Sequence, residues 1–183
     1  MFQRVLLLFL VFAFTASTAF AQYGTLTKEE RILYTPKNPY ERFDDGRPKV
    51  PDAILERMKE VSIEEAWGVL RKHGYHNEFE GNWMNLHPDR VLVGRAVTAG
   101  FFPKRPVLDE VTNQEGKKDK NISAQNSWII DTLVKDDVIV IDLFGKVKDG
   151  TYAGDNLATS IKSKTGTGMV IDGGIRDLGG IYP

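Results

Sequence analysis

Asp137-Val138-Ile139-Val140-Ile141-Asp142, Gly154-Asp155-Asn156-Leu157-Ala158-Thr159-Ser160 and Met169-Val170-Ile171-Asp172-Gly173-Gly174-Ile175-Arg176-Asp177 are the three pieces whose reading decides the fold. The first is apolar without alternation, as expected of a strand covered on both faces of a parallel sheet. The second follows a loop containing Gly145, Gly150 and Gly154, carries Leu157, Ala158 and Ile161 on one helical face, and stops at Gly166. The third is another short buried strand that ends in paired glycines. Strand, helix, strand in this order is a β-α-β unit with an expected right-handed crossover, which places the chain in the α/β class.

Upstream, Arg90 to Ala99 reads as a further strand, and Phe101 to Lys120 as a loop whose charged run, Lys117 to Lys120, is a solvated turn. Ser123 is placed to cap a short helix whose apolar face is Trp128, Ile129, Ile130, Leu133 and Val134. Asp52 is an expected N-cap for a helix carrying Ala53, Ile54, Met58 and Val61. Ser62-Ile63-Glu64-Glu65 is a capping box that opens a second helix, with Ala66, Trp67, Val69 and Leu70 on one side, ending at Gly74. The two helices read as a packed pair. Residues 22–51, punctuated by Pro36, Pro39, Gly46, Pro48 and Pro51, read as an extended arm. Either Tyr34, Tyr40 and Phe43 tack it onto the domain or a neighbouring subunit, or it is a partly ordered tail.

The 183 residues, 42% hydrophobic and 27% charged, suit one domain, placed at 52–183. The net charge of -1, with both signs interspersed, leaves no basic face for a phosphate backbone and argues against a nucleic-acid partner. The absence of cysteine excludes a lipid-modified cysteine anchor, disulfides, thiolate zinc and a cysteine nucleophile together. Arg4 followed by the apolar run Val5 to Phe14 and by Ala19-Phe20-Ala21 reads as a signal peptide over 1–21, cleaved so that the mature chain begins near Gln22. The apolar run is too short for a membrane anchor, which needs about 20 residues. Export to a bacterial periplasm or the medium is therefore expected, with no membrane association after cleavage.

Polar residues at the ends of the two strands of this β-α-β unit are the candidates for chemistry, because parallel sheets bind ligands outside the carboxyl ends of their strands. At Gly154-Asp155-Asn156-Leu157 a helix opens after a glycine, so free N–H groups and the positive end of the dipole can hold a carboxylate, while Gly154 permits close approach. Alternatively Asp155 is simply an N-cap. Arg176-Asp177 follows the next strand. A carboxylate there suits a hard divalent cation, and the neighbouring guanidinium suits a substrate carboxylate or a developing enolate; the alternative is a local surface ion pair. His73, His76 and His87 lack a matching carboxylate pattern and read as ordinary surface or core histidines.

Taken together, Gly154 to Ser160 and Val170 to Asp177 resemble the active-site segments of the RraA-like proteins and 4-hydroxy-4-methyl-2-oxoglutarate aldolases. The resemblance extends more loosely through Asp137 to Asp142, Gly94 to Thr98 and the helix pair, covering roughly Pro51 onward. It implies a β/β/α swivelling domain, assembled as trimers or hexamers. It also implies a magnesium or manganese ion ligated by Asp177, and a small 2-oxo acid bound by Arg176 and by backbone amides around Gly154, Asn156 and Leu157. Asp155 would orient a water for proton transfer. The implied reaction is retro-aldol cleavage of a 4-hydroxy-2-oxo acid to pyruvate, with oxaloacetate decarboxylation through the same enolate as a second activity. The regulator branch of the family tends to lack the acid that matches Asp177, which leans the reading toward the enzyme and leaves a non-catalytic binding or regulatory protein as the alternative. Some members carry a demethylmenaquinone methyltransferase label, but no glycine-rich loop after a first strand supports it here. Because the family ordinarily continues through further strands and a helix, and takes an acidic group from a neighbouring subunit, the chain is expected to be incomplete at its C-terminus.

Overall fold

The computed structural model describes residues 26–119, 121 and 123–181, and the expected signal peptide over 1–21 lies outside them. The β-branched run that begins at Asp137 forms the middle strand, β2 (Asp137–Thr151), between β1 (Arg95–Gly100) and β3 (Met169–Gly174), both parallel to it. Val138, Ile139 and Ile141 are buried in it, and Ile139 and Ile141 join Val97, Ile130, Leu133, Leu143, Tyr152 and Ile161 in one core. That double-sided cover is why the run shows no alternation. The helix connecting β2 to β3, Asp155–Thr165, ends at Gly166, whose φ of 74° is the left-handed geometry that closes a helix and favours glycine.

Several local expectations change. The predicted strand over 90–99 is shorter and shifted, because residues 90–94 lead into β1 and Gly94 lies against the chain of β2: a Cβ there would be 2.7 Å from the Asp136 carbonyl oxygen. The expected glycine-rich loop after Asp142 instead continues β2 to Thr151 through two irregularities in its pairing with β3, with Phe144 and Gly145 both at positive φ. The predicted loop over 101–120 contains a helix, Pro106–Lys118, which starts with proline at its first turn and so needs no donor there. Its weak apolar period hides it. Gly116 is its one buried residue, packed beneath the Trp128 ring of the next helix, Gln125–Asp131, for which Ala124 rather than Ser123 is the cap.

The helices Asp52–Met58 and Ile63–Lys72 form as expected, the second with its Ser62/Glu65 capping box, but the buried seam of a packed pair is missing. The first buries Leu55; the second buries no residue and rests Trp67 on Phe79, with ring centroids 5.4 Å apart, and under Arg71. Asp52 is not the cap, a position held by Pro51; its carboxylate accepts instead from the guanidinium of Arg95.

The arm over 22–51 is not extended throughout. Thr27 and Glu30 make a capping box for a helix, Lys28–Tyr34, and Arg42 and Pro48 form an antiparallel bridge. Arg42 closes this small unit by donating to the Thr35 and Gly46 carbonyls at 2.7 and 2.8 Å. Of the three aromatics, Phe43 does the tacking. Arg47 lies over its ring at 4.9 Å and Arg95 of β1 at 5.8 Å, whereas Tyr34 is exposed. Arg47 then reaches Asp137, the fully buried first residue of β2, at 3.2 Å.

Asp45 braces that arginine from the arm side at 2.8 Å and also pairs with Arg31. Burial pushes the Asp45 carboxyl up, but the Arg47 main-chain N–H and guanidinium, with Arg31 beside them, outweigh burial and hold it below its ordinary value of 3.8. A carboxyl depressed in the folded state stabilises it fully above the ordinary value, and that contribution is lost as pH falls through the lower folded value. The melting temperature of the wild type should therefore drop more than that of Asp45→Asn between about pH 5 and pH 3. Equal drops in thermal scans of the two proteins would show that Asp45 does not brace the arm.

Candidate active site

Two chain exits from the sheet are laced together. Past β2 the chain runs through Tyr152 and Ala153 to Gly154, and past β3 it runs through Ile175 to Arg176. The Tyr152 N–H donates to the Gly174 carbonyl and the Arg176 N–H to the Ala153 carbonyl, both at 3.1 Å. The turn at Gly154–Asp155 and the dipeptide Arg176–Asp177 are thereby brought side by side. An open cleft of about 260 Å³ lies between them, lined by Asn126, residues 151–157, Arg176 and Asp177. All six candidates from the sequence, Gly154, Asp155, Asn156, Leu157, Arg176 and Asp177, border this one cleft.

Gly154 is the N-cap of the helix and, having no side chain, offers no capping hydrogen bond. The first intrahelical main-chain bond is the Ala158 N–H to the Gly154 carbonyl, so the first-turn N–H groups have no main-chain partner within the helix. Asp155 is the first helical residue rather than the cap; its Oδ1 accepts from the Asn156 N–H at 2.7 Å. Gly154 also supplies room. A Cβ built there would sit 2.4 Å from Asp177 Oδ2 and 3.1 Å from Arg176 Nε, so the charged pair is pressed against bare backbone at the helix start.

Arg176 Nε and Asp177 Oδ2 are 3.2 Å apart, with side chains 72% and 49% exposed. An ion pair this open contributes little to stability, roughly 0–1 kcal/mol, and its groups are available to a ligand. Asp177 has φ 59°, a left-handed conformation that aspartate and asparagine tolerate better than most residues. It turns the chain into the short helix Leu178–Ile181, where Gly180 packs against Asp155: a Cβ there would be 2.7 Å from the Asp155 Cβ. The cleft therefore presents two carboxylates, one guanidinium and a helix N-terminus. Among the described residues no three His, Cys, Asp or Glu side chains gather as a metal cage. An oxygen-only set of one or two carboxylates fits a hard divalent cation that keeps most of its waters, not zinc held by nitrogen and sulfur.

Sequence reasoning missed Asn126, Thr151, Tyr152 and Ala153 as cleft residues. Tyr152 and Ala153 read locally as the end of a loop, and Asn126 lies on a separate helix with no motif to mark it. Tyr152 is buried at 2% exposure, and burial pushes its phenol well above the ordinary value, so it stays a protonated donor.

No curated protein and no solved structure matches the chain. A family model described as RraA-like, Aldolase/RraA, matches residues 48–182, a span that holds the β-α-β unit and every residue of the cleft and begins after the arm helix. With most of its length matched and its paired acidic segments set around one cleft, this chain belongs to the RraA-like (Aldolase/RraA) family.

Proposed function

We propose that the protein is a divalent-metal-dependent lyase that cleaves a 4-hydroxy-2-oxo acid, of the 4-hydroxy-4-methyl-2-oxoglutarate type, to pyruvate. Family membership supports an aldolase-type or regulator-like role. The observation that carries the enzymatic reading is the Arg176–Asp177 pair lying against Gly154 at the start of a helix, where an anion site and a cation site meet. In retro-aldol cleavage the C4 hydroxyl gives up its proton, C4 becomes a carbonyl, and the C3–C4 electron pair is left as pyruvate enolate, which takes a proton at C3. The first-turn N–H groups near Asn156 and Leu157, which have no main-chain partner within the helix, hold the substrate C1 carboxylate, and Gly154 lets it approach. Arg176 places its guanidinium at the 2-oxo oxygen, where the enolate charge develops. Asp155 orients the water that moves the proton. Asp177 would hold a magnesium or manganese ion, which supplies Lewis-acid polarisation of the 2-oxo group when bound. Oxaloacetate decarboxylation leaves the same enolate and needs the same groups.

In this reading the mature protein acts after export, as a trimer or hexamer in which a neighbouring subunit adds an acidic group to the cleft. The full chain, supplied with magnesium or manganese, is expected to release pyruvate from 4-hydroxy-4-methyl-2-oxoglutarate or oxaloacetate and to stop when a chelator is added. Failure to release pyruvate from either substrate with either metal would sink the lyase and favour the non-catalytic binding or regulatory protein.

A further inference from the structure

We infer that Asn126 is a positioning residue of the cleft, tying the turn before the Asp155 helix to a second helix through a reciprocal pair of hydrogen bonds with Tyr152. This rests on the lyase reading for its kinetic consequence. Asn126 is the second residue of the helix Gln125–Asp131, and its side-chain Nδ2 donates to the main-chain carbonyl of Tyr152 at 3.1 Å. In return the Tyr152 hydroxyl donates to the main-chain carbonyl of Asn126 at 3.0 Å. Two contacts lock the ring that makes this return bond. It is buried in the core, and it packs on Phe101 with centroids 5.4 Å apart.

The turn at 152–154 is therefore held from two sides. On the side of β3, Gly174 and Arg176 bond to Tyr152 and Ala153. On the opposite side Asn126 is the tether, and it also lines the cleft. Gly154 has no side chain with which to fix its own helix start. The direction of the first-turn N–H groups thus depends on what holds the two residues before it. Losing the Asn126 amide leaves the Tyr152 carbonyl without this donor and frees the turn on one side, while the core under it stays in place. A small displacement of an anion-binding N-terminus weakens substrate binding more than it weakens the fold.

Asn126→Ala is compared with wild type and with Gln125→Ala, which alters the neighbouring residue on the same helix, whose side chain bonds Asp109 and Asn113 away from the cleft. The expected result for Asn126→Ala is a KM for oxaloacetate raised about ten-fold, corresponding to one lost hydrogen bond's worth of positioning, with a smaller change in kcat. Gln125→Ala should keep the wild-type KM, and Asn126→Asp, which keeps the shape but turns an oxygen toward the Tyr152 carbonyl, should behave like the alanine variant. Amide hydrogen exchange provides a reading that needs no turnover: exchange at residues 154–157 should quicken in Asn126→Ala while the amides of β2 keep their protection. An active wild type with unchanged KM in both Asn126 variants overturns the inference and leaves the lyase intact. Unchanged exchange at 154–157 overturns it whatever the activity. Faster exchange in a protein whose wild type releases no pyruvate overturns the lyase and keeps the tether.

Discussion

Asp177→Asn is expected to lower magnesium-dependent pyruvate release by about a thousand-fold while leaving the melting temperature nearly unchanged. The size follows from removing one preorganised charge at a developing enolate, which costs roughly 100- to 1000-fold, together with the cation that the carboxylate would hold. Asparagine is the right replacement. Asp177 sits at φ 59°, where alanine would add backbone strain and blur a catalytic loss with a folding loss, whereas asparagine tolerates that conformation. Stability should hardly move, because the carboxylate is about half exposed and its pairing with Arg176 is of the solvent-facing kind. Steady-state assays over a range of magnesium concentrations, beside a thermal scan, provide the measurement. Pyruvate release within about ten-fold of wild type at every metal concentration would remove Asp177 from the mechanism.

The second large effect is on folding and lies at the other end of the sheet. Asp137 is fully buried; its Oδ2 accepts from the Val134 N–H at 3.0 Å and faces Arg47 at 3.2 Å, and its Oδ1 has no hydrogen-bond partner among the described residues. Arg47→Met removes the cation that the arm supplies and leaves a buried carboxylate uncompensated, a change that costs about 3–5 kcal/mol. For a domain of this size that corresponds to a fall in melting temperature of roughly 6–20 °C. Adding Asp137→Asn should restore most of the loss, since the neutral amide no longer needs a cation and its oxygen still accepts from Val134. Thermal scans of the single and double variants decide the matter. If Arg47→Met melts with the wild type, or if the double variant melts below the single one, Arg47 is not what compensates Asp137. The arm helix and its residues up to Arg47 lie outside the family match, so the cation of this clamp comes from outside the family domain while Asp137 lies within it.

The parts of the fold that were legible in the sequence are those whose cause is local. The apolar run after Asp137 reads as a buried strand, Ser62 to Glu65 as a helix start, Gly166 as a helix stop, and the order strand, helix, strand as parallel pairing. The helix over Pro106–Lys118 was hidden for a local reason too: its residues are polar around most of the circumference, and its one buried contact is Gly116 under Trp128, which no apolar period reports. The capping box at Thr27 and Glu30 was visible in principle, but the prolines that follow the segment, from Pro36 to Pro51, draw the reading toward extended chain.

The candidate site divides in the same way. Gly154, Asp155, Arg176 and Asp177 are recognisable from turn chemistry and spacing, because a glycine before a helix and an acid after a strand declare themselves within a few residues. That they face one another across a single cleft is decided by the hydrogen bonds from Tyr152 to Gly174 and from Arg176 to Ala153. By itself, then, the sequence determined the class of fold, the family and the short list of chemical groups. Tertiary structure alone decided that Asn126 lines the cleft, that Arg47 answers a carboxylate ninety positions away, and that the stretch after Asp142 stays in the sheet. The physical reason is that periodicity and capping depend on neighbours a few residues off. A buried polar group, in contrast, takes whichever partner the packing brings to it, at any distance along the chain.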